Sequence, residues 1–227
     1  GGPQLKGNWK GEELGSCTDC RRYEIELRAG NITEDDWAEL QSCIVRSNGH
    51  CMTMGTASTM ATIGEALGLA LPGNAAIPAV DSRRKQLAEE AGRQAVRIVG
   101  TDLIPSKLIN QKSIENAIRC IHAIGGSTNS IIHLIAIAGR VGIKLPLQLF
   151  DDLAKTTPFI LNLKPSGKYL MEDFYYAGGV PAMMQRISHL LNLDSETITG
   201  KSLGENIMGS FVHNDDIIRS VDNPLDP

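Results

Sequence analysis

Aromatic side chains are scarce: only 4% of the 227 residues are Phe, Trp or Tyr. A platform for stacked nucleobases needs such rings, so a single-stranded nucleic-acid binder is excluded. Positive charge is not in excess either. There are 22 Lys and Arg against 26 Asp and Glu, a net charge of −4, with no long run of one sign. Nucleic acid and anionic membrane are therefore not expected partners. No segment reaches the roughly 18 apolar residues of a membrane span; the stretch Ile131–Ala138 is too short and is followed by Arg140. The opening Gly-Gly-Pro-Gln lacks an initiator Met and shows neither the basic start nor the apolar run of a secretory leader. The expectation is a cytoplasmic protein of which this sequence is an incomplete piece. Cysteine is odd in number, five between Cys17 and Cys120. That suits free thiols in a reducing compartment better than a disulfide framework. No His pair has metal-ligand spacing, and no internal repeat occurs.

What is present is a globular composition, 42% apolar and 21% charged, with 23 glycines. Excess Gly in a non-repetitive chain points to tight turns and close backbone approach to ligands. The first thirty residues read as a Gly-rich loop and a short amphipathic stretch. Thr33 with Glu34, Asp35 and Asp36 opens a helix that runs to about Arg46. A small, hydroxylic segment, 49–60, turns into a helix from about Ala57 to the Leu71-Pro72-Gly73 stop. Ser82 caps a polar-faced helix through Ile98. Ser113 caps another that stops at Gly125-Gly126. The helix after Ser127-Thr128-Asn129 is apolar nearly all round, which predicts burial nearly all round. Pro146 precedes a short helix, Phe159–Leu163 is a candidate strand, and Pro181 starts a helix through Leu191. Helices outnumber strands, and the expected class is a layered α/β/α domain of which this chain supplies mostly the helices. Residues 1–198 form part of that domain; residues 199–227 read as a connector toward a further domain.

Cys51 is the most informative residue. It lies near a helix start, where free N–H groups and the helix dipole stabilise a thiolate, and Gly49 and Gly55 flank it. Thr53, Thr56, Ser58 and Thr59 could donate to oxyanions or cluster sulfurs. The competing reading is an inert buried thiol. Gly125-Gly126-Ser127-Thr128-Asn129 could present N–H groups to a carboxylate or phosphate, or could be an ordinary capped turn. Cys17-Thr18-Asp19-Cys20 is a C-x-x-C pair without the second pair a zinc site wants, and reads as two incidental thiols ahead of a zinc or redox role. Cys43 and Cys120 fall at core spacing. His122 and His133 read as packed or capping residues, and His50 gains interest only from adjoining Cys51.

Several segments together resemble the dihydroxy-acid and sugar-acid dehydratase family. They are Arg46 to Met60, Glu65-Ala66-Leu67-Gly68, Leu71-Pro72-Gly73, Gly1-Gly2-Pro3, Arg28-Ala29-Gly30, 125–129, Gly178-Gly179-Val180-Pro181, and Thr199 to Leu203 with Glu205-Asn206. The resemblance covers nearly the whole chain in order. It implies a hydro-lyase that removes water from a 2,3-dihydroxy acid, using an iron–sulfur cluster on three Cys and a nearby Mg²⁺. By this resemblance Cys51 is one cluster ligand, and Thr53, Ser127, Thr128 and Asn129 would bind substrate oxygens. The other two cluster cysteines and the Asp and modified Lys of the Mg²⁺ site belong to segments preceding Gly1. A serine base and a further Mg²⁺-binding Glu belong to a barrel-like domain beyond Pro227. No catalytic base is therefore assigned within this chain, and neither Cys17 nor Cys20 takes a missing ligand's place.

Met52 to Met60 looks more like the sugar-acid branch, which favours an aldonate such as arabinonate or xylonate. The alternative is the dihydroxy-acid step of branched-chain amino-acid synthesis. [2Fe–2S] and [4Fe–4S] clusters use the same ligands and stay open. The family implies a homodimer or homotetramer. A non-catalytic binding module that kept the fold is the reading from another class.

Overall fold

The computed structural model describes residues 1–226. The chain opens with a two-stranded antiparallel hairpin, β1 (Gly7–Trp9) and β2 (Glu12–Leu14), with Gly7 opposite Leu14 and Trp9 opposite Glu12. The two turn residues, Lys10 and Gly11, both have positive φ, +49° and +88°. That is the tight hairpin turn whose twist matches the strands. Helix α1 (Ser16–Arg28) follows, then α2 (Glu34–Ile44). Thr33 and Asp36 close a reciprocal capping box at the start of α2, as their spacing predicts. Trp9, Leu14, Leu40 and Ile44 form a small core here, with Cys20, Tyr23, Trp37 and Cys43 packed on its edge. The hairpin and the full length of α1 correct the expected loop. Three-residue strands are too short to show alternation, and α1 carries six charged residues of its thirteen, with Asp19 its one buried residue.

A larger core is built around α3 (Thr56–Ala66) and α6 (Gln111–Ala123). Ile114, Ala117, Ile118, Cys120 and Ala123 of α6 are fully buried. Burying each Ile contributes roughly 1.5–3 kcal/mol. The cap of α6 is Asn110, with Ser113 completing its capping box from the third helical position. Four further helices cover this pair: α7 (Asn129–Arg140), α8 (Leu147–Ala154), α9 (Met171–Tyr176) and α10 (Gly179–Arg186). The short α11 (Leu203–Ile207) adds Leu203 and Ile207, and Ile217 and Ile218 also join this core from beyond Thr199.

Helix α7 departs from expectation. Only Ser130, Leu134 and Ala138 are buried; Ile132 is 70% exposed and His133 is exposed. Its apolar outer face therefore lies open in this chain. Helix α4 (Ser82–Arg97) is likewise mostly exposed. It is capped by Asp81, and its one buried residue, Gln94, donates to the Ile198 carbonyl at 2.7 Å. The one-turn α5 (Pro105–Leu108) leads from α4 toward α6. The segment Phe159–Leu163 runs extended but makes isolated bridges to Asp226, Ile218 and Tyr169 rather than a strand of a sheet. The architecture is that of a helix-rich α/β domain whose sheet, among the described residues, is the N-terminal hairpin. Among them, too, no helix is long and apolar enough to cross a membrane.

Candidate functional site

Cys51 sits on the loop between the N-terminal segment and α3, and that loop is held from three sides. His50 N–H donates to the Gly2 carbonyl at 3.0 Å, and Gln4 N–H donates back to the His50 carbonyl at 2.8 Å. Gly49 makes this approach possible: its φ is +135°, and a Cβ there would meet Gln4 N at 2.7 Å. On the second side, Met54 N–H donates to the Lys164 carbonyl, and Met171 N–H to the Met52 carbonyl, both at 2.9 Å. On the third, the Ser58 hydroxyl turns back to the Thr53 carbonyl at 2.9 Å.

Within this frame the Cys51 thiol is half-buried and hydrogen-bonds across 3.1 Å to Oγ1 of Thr53, which is itself buried. Cys51 precedes α3, as its sequence position suggested, with residues 52–55 between them. His50 Nδ1 donates to the Cys51 carbonyl at 3.1 Å. Burial holds this imidazole below its usual pKa, with the hydrogen bond to Cys51 opposing. Its Nε2 is buried without a partner among the described residues.

The turn 125–129 meets α3 directly. Thr56 Oγ1 lies 3.0 Å from Ser127 Oγ and accepts from Asn129 Nδ2 at 2.9 Å. Ser127 N–H donates to Thr59 Oγ1 at 3.1 Å. Neither Gly55, the cap of α3, nor Thr128, the cap of α7, provides a side-chain acceptor. The first turn of α3 thus keeps N–H groups free for an anion, whereas at the start of α7 the N–H groups of Asn129, Ser130 and Ile131 turn back to Ser127 and Thr128. Thr128 and Asn129 are exposed. The glycine pair has a packing reason as well: a Cβ on Gly125 would meet the Phe159 ring at 2.6 Å. The structure therefore places Cys51 with Thr53, and Ser127 with Asn129, on either side of the first turn of α3. Thr128 makes no side-chain contact with either pair.

The remaining thiols divide by environment. Cys120 is fully buried, and burial pushes its thiol up to about 12. Cys43 is half-buried on the small core rather than inside it. Cys17 and Cys20 lie on the first turns of α1, not in a loop. His122 is packed, with Nε2 3.0 Å from the Phe150 carbonyl.

Two features escaped the sequence. The Asp19 carboxylate, nearly buried, takes the Lys164 ammonium at 2.8 Å and so ties α1 to the segment that holds Met54. Glu65 on α3 is buried and accepts from the N–H groups of Gly73 (2.8 Å) and Ala75, fixing the turn after α3. Residue type gives no sign of the first, because its partners are 145 positions apart. The second was visible only as part of a motif.

The structure thus sets a cysteine on a braced loop, with several hydroxyls, beside the uncapped first turn of α3 in a helix-rich α/β domain. The chain belongs to the dihydroxy-acid/6-phosphogluconate dehydratase family: the model of that family's N-terminal domain matches residues 1–206. It is 48% identical over 227 residues to an L-arabinonate dehydratase of Rhizobium leguminosarum bv. trifolii, covering 99% of this chain and 39% of that protein. It is 43% identical to a 6-deoxy-6-sulfo-D-gluconate dehydratase of Pseudomonas putida, covering 99% of this chain and 39% of that protein. A dihydroxy-acid dehydratase of Caldanaerobacter subterraneus subsp. tengcongensis is 41% identical, with 99% and 40% covered. The chain thus spans about two-fifths of the length of these relatives.

Proposed function

We propose that this chain is the thiol-bearing part of a hydro-lyase that dehydrates a 2,3-dihydroxy acid, an aldonate in preference, to a 2-keto-3-deoxy acid. The observation that supports it is the Cys51–Thr53 loop set beside the free N–H groups of the first turn of α3. Identities of 48% and 46% to two arabinonate dehydratases, against 40–45% to dihydroxy-acid dehydratases, support the aldonate. Cytoplasmic location goes with this reading.

An iron–sulfur cluster needs thiolate ligands with room beside them. Cys51 meets that condition: it is half-buried, soft, and on a loop held by backbone hydrogen bonds. It offers one ligand position. Among the described residues no three His, Cys, Asp or Glu side chains gather to hold a metal, so the other ligands would come from further segments. The same holds for Mg²⁺, for which these residues supply no carboxylate group at the site. When bound, the cluster would supply a Lewis-acidic iron to the leaving hydroxyl. The chain's own part is binding and orientation. Thr53 Oγ1 would keep the Cys51 sulfur turned to one side. The N–H groups at the start of α3 would receive the substrate carboxylate or hydroxyl oxygens, with the side chains of Ser127, Thr128 and Asn129 at the rim.

The test is a panel of substrates on a protein of the relatives' full length. Arabinonate or xylonate should be turned over at least about tenfold faster than dihydroxy-isovalerate, a difference of about 1.4 kcal/mol in barrier. The reverse order would assign the enzyme to branched-chain amino-acid synthesis, and no turnover of any dihydroxy acid would favour a binding module.

We also propose that the protein works as a homodimer or homotetramer. The open outer face of α7, with Ile132 at 70% exposure, supports association, because exposed apolar patches mark contact surfaces. Sizing with light scattering should show dimers or larger species of this chain. A monodisperse monomer at all concentrations would count against it.

A further inference from the structure

We infer that Cys17 and Cys20 form a thiol–disulfide exchange site that accepts small organic disulfides and closes an internal bridge across the first turns of α1. The pair opens a 13-residue helix, the setting in which a C-x-x-C spacing puts two thiols on one face. Side chains three apart on a helix have Cβ atoms about 5–6 Å apart, and a disulfide wants about 3.5–4.5 Å. A small rotation must close the gap, and it has a place to occur. Ser16 is held at φ +28°, a conformation strained for a residue other than Gly, while Gly15 beside it is tied to Asp19 through both its N–H and its carbonyl.

The two sulfurs differ in the way an exchange site requires. Cys17 is exposed, whereas Cys20 is half-buried against the core of Trp9, Leu14, Leu40 and Ile44. Between them Asp19 points inward, bound by Lys164 and by Gly15 N–H. This anchor fixes the inner side of the turn while Cys17 stays open to solvent. The other three cysteines lie elsewhere: Cys43 on α2, Cys51 on its braced loop, and Cys120 in the main core.

The step balances without an external metal. The Cys17 thiolate attacks one sulfur of the small disulfide, forming a mixed disulfide and expelling one thiolate. Cys20 then gives up its proton and attacks the Cys17 sulfur, expelling the second thiolate. The chain loses two electrons and two thiol protons, and one small disulfide becomes two thiols.

Oxidised glutathione, in oxygen-free buffer, is the probe, with intact mass, thiol count, peptide mapping and fluorescence as readouts. Both tryptophans, Trp9 and Trp37, belong to the core that Cys20 touches, so their emission reports on the bridge. The expected product has two fewer thiols, no added glutathione, and a peptide crosslinked between Cys17 and Cys20, all reversed by dithiothreitol. Its tryptophan emission should fall with the same time course. Cys20→Ser should stop at one glutathione on Cys17. Cys17→Ser and Cys17→Ala should both abolish the bridge and leave Cys20 to take up glutathione at least about tenfold more slowly than the unmodified chain loses thiols, with unchanged circular dichroism. Stable adducts on Cys17 of the unmodified chain without bridging would overturn the proposal. So would a bridge that recruits Cys43 or Cys51.

Discussion

Replacing Cys51 with Ser in a protein of the relatives' full length is expected to abolish dehydration and the visible absorbance of the cluster together. Ser is nearly isosteric, so the loop should survive. Its backbone bonds to Gly2, Lys164 and Met171 do not involve the side chain, and a hydroxyl can still hydrogen-bond Thr53 Oγ1, where the thiol now sits at 3.1 Å. Loss of the sulfur contact at a half-buried site should cost no more than about 1 kcal/mol. The ligand change is a different matter. A hydroxyl is hard and stays protonated at neutral pH, a poor match for cluster iron. Activity and absorbance should therefore fall to near background while helical content by circular dichroism stays unchanged. An inert Cys51 predicts the opposite pattern, with activity kept. Full activity and an intact cluster spectrum in the variant would sink the assignment. The isolated chain gives a companion measurement: reconstitution with iron and sulfide should leave it without turnover, since it supplies one thiol to the site.

The parts of the fold that were legible in the sequence are those whose signals are local. The Thr33–Asp36 box lies within four residues and is seen, whereas at α6 Ser113, read as the cap, is the third helical residue and Asn110 is the cap. The burial of α6 follows from its apolar face. The opposite case is α7, whose composition matches a buried helix while the structure leaves Ile132 and His133 open. Composition states which faces ask for cover, not which segment of chain supplies it. The hairpin was missed because three residues cannot show a period of two. At the site, Cys51, Thr53, Ser127 and Asn129 could be singled out from residue type beside glycine. Their division into two pairs on either side of α3 could not, because Thr56 and Ser127 are 71 positions apart. Lys164 and Asp19 show the limit most plainly: an ordinary Lys and an ordinary Asp become a brace for the cysteine loop only once the chain is folded.

Glu65 should make stability depend on pH in an unusual direction. Burial pushes its carboxyl up to about 7, partly offset by the N–H groups of Ala75 and Gly73 and by the charge of Arg84. In the unfolded chain it titrates near 4.5. The folded state thus prefers the neutral acid. The stability this gives is complete below about pH 4.5 and is lost as pH rises toward 7. The shift corresponds to roughly 3 kcal/mol between those limits. His50 and His122 are both held below their usual pKa by burial and titrate in part of the same range, so the unmodified chain alone would not isolate the effect. The comparison with Glu65→Gln does. The carboxylate takes Gly73 N–H on one oxygen and Ala75 N–H on the other, so the single amide oxygen of Gln keeps one of these bonds and leaves the other N–H without an acceptor at every pH, and it carries no charge to bury. In urea unfolding, Glu65→Gln should be about 1–3 kcal/mol less stable than the unmodified chain near pH 5, from the N–H left unpaired, and should gain on it by about 2–3 kcal/mol between pH 5 and pH 8. Glu65→Ala should lose about 2–5 kcal/mol near pH 5, because both N–H groups are left without an acceptor and a cavity opens, and should show the same relative gain toward pH 8. A difference between Glu65→Gln and the unmodified chain that does not change with pH would show that the carboxylate ionises as freely inside α3 as it does in water.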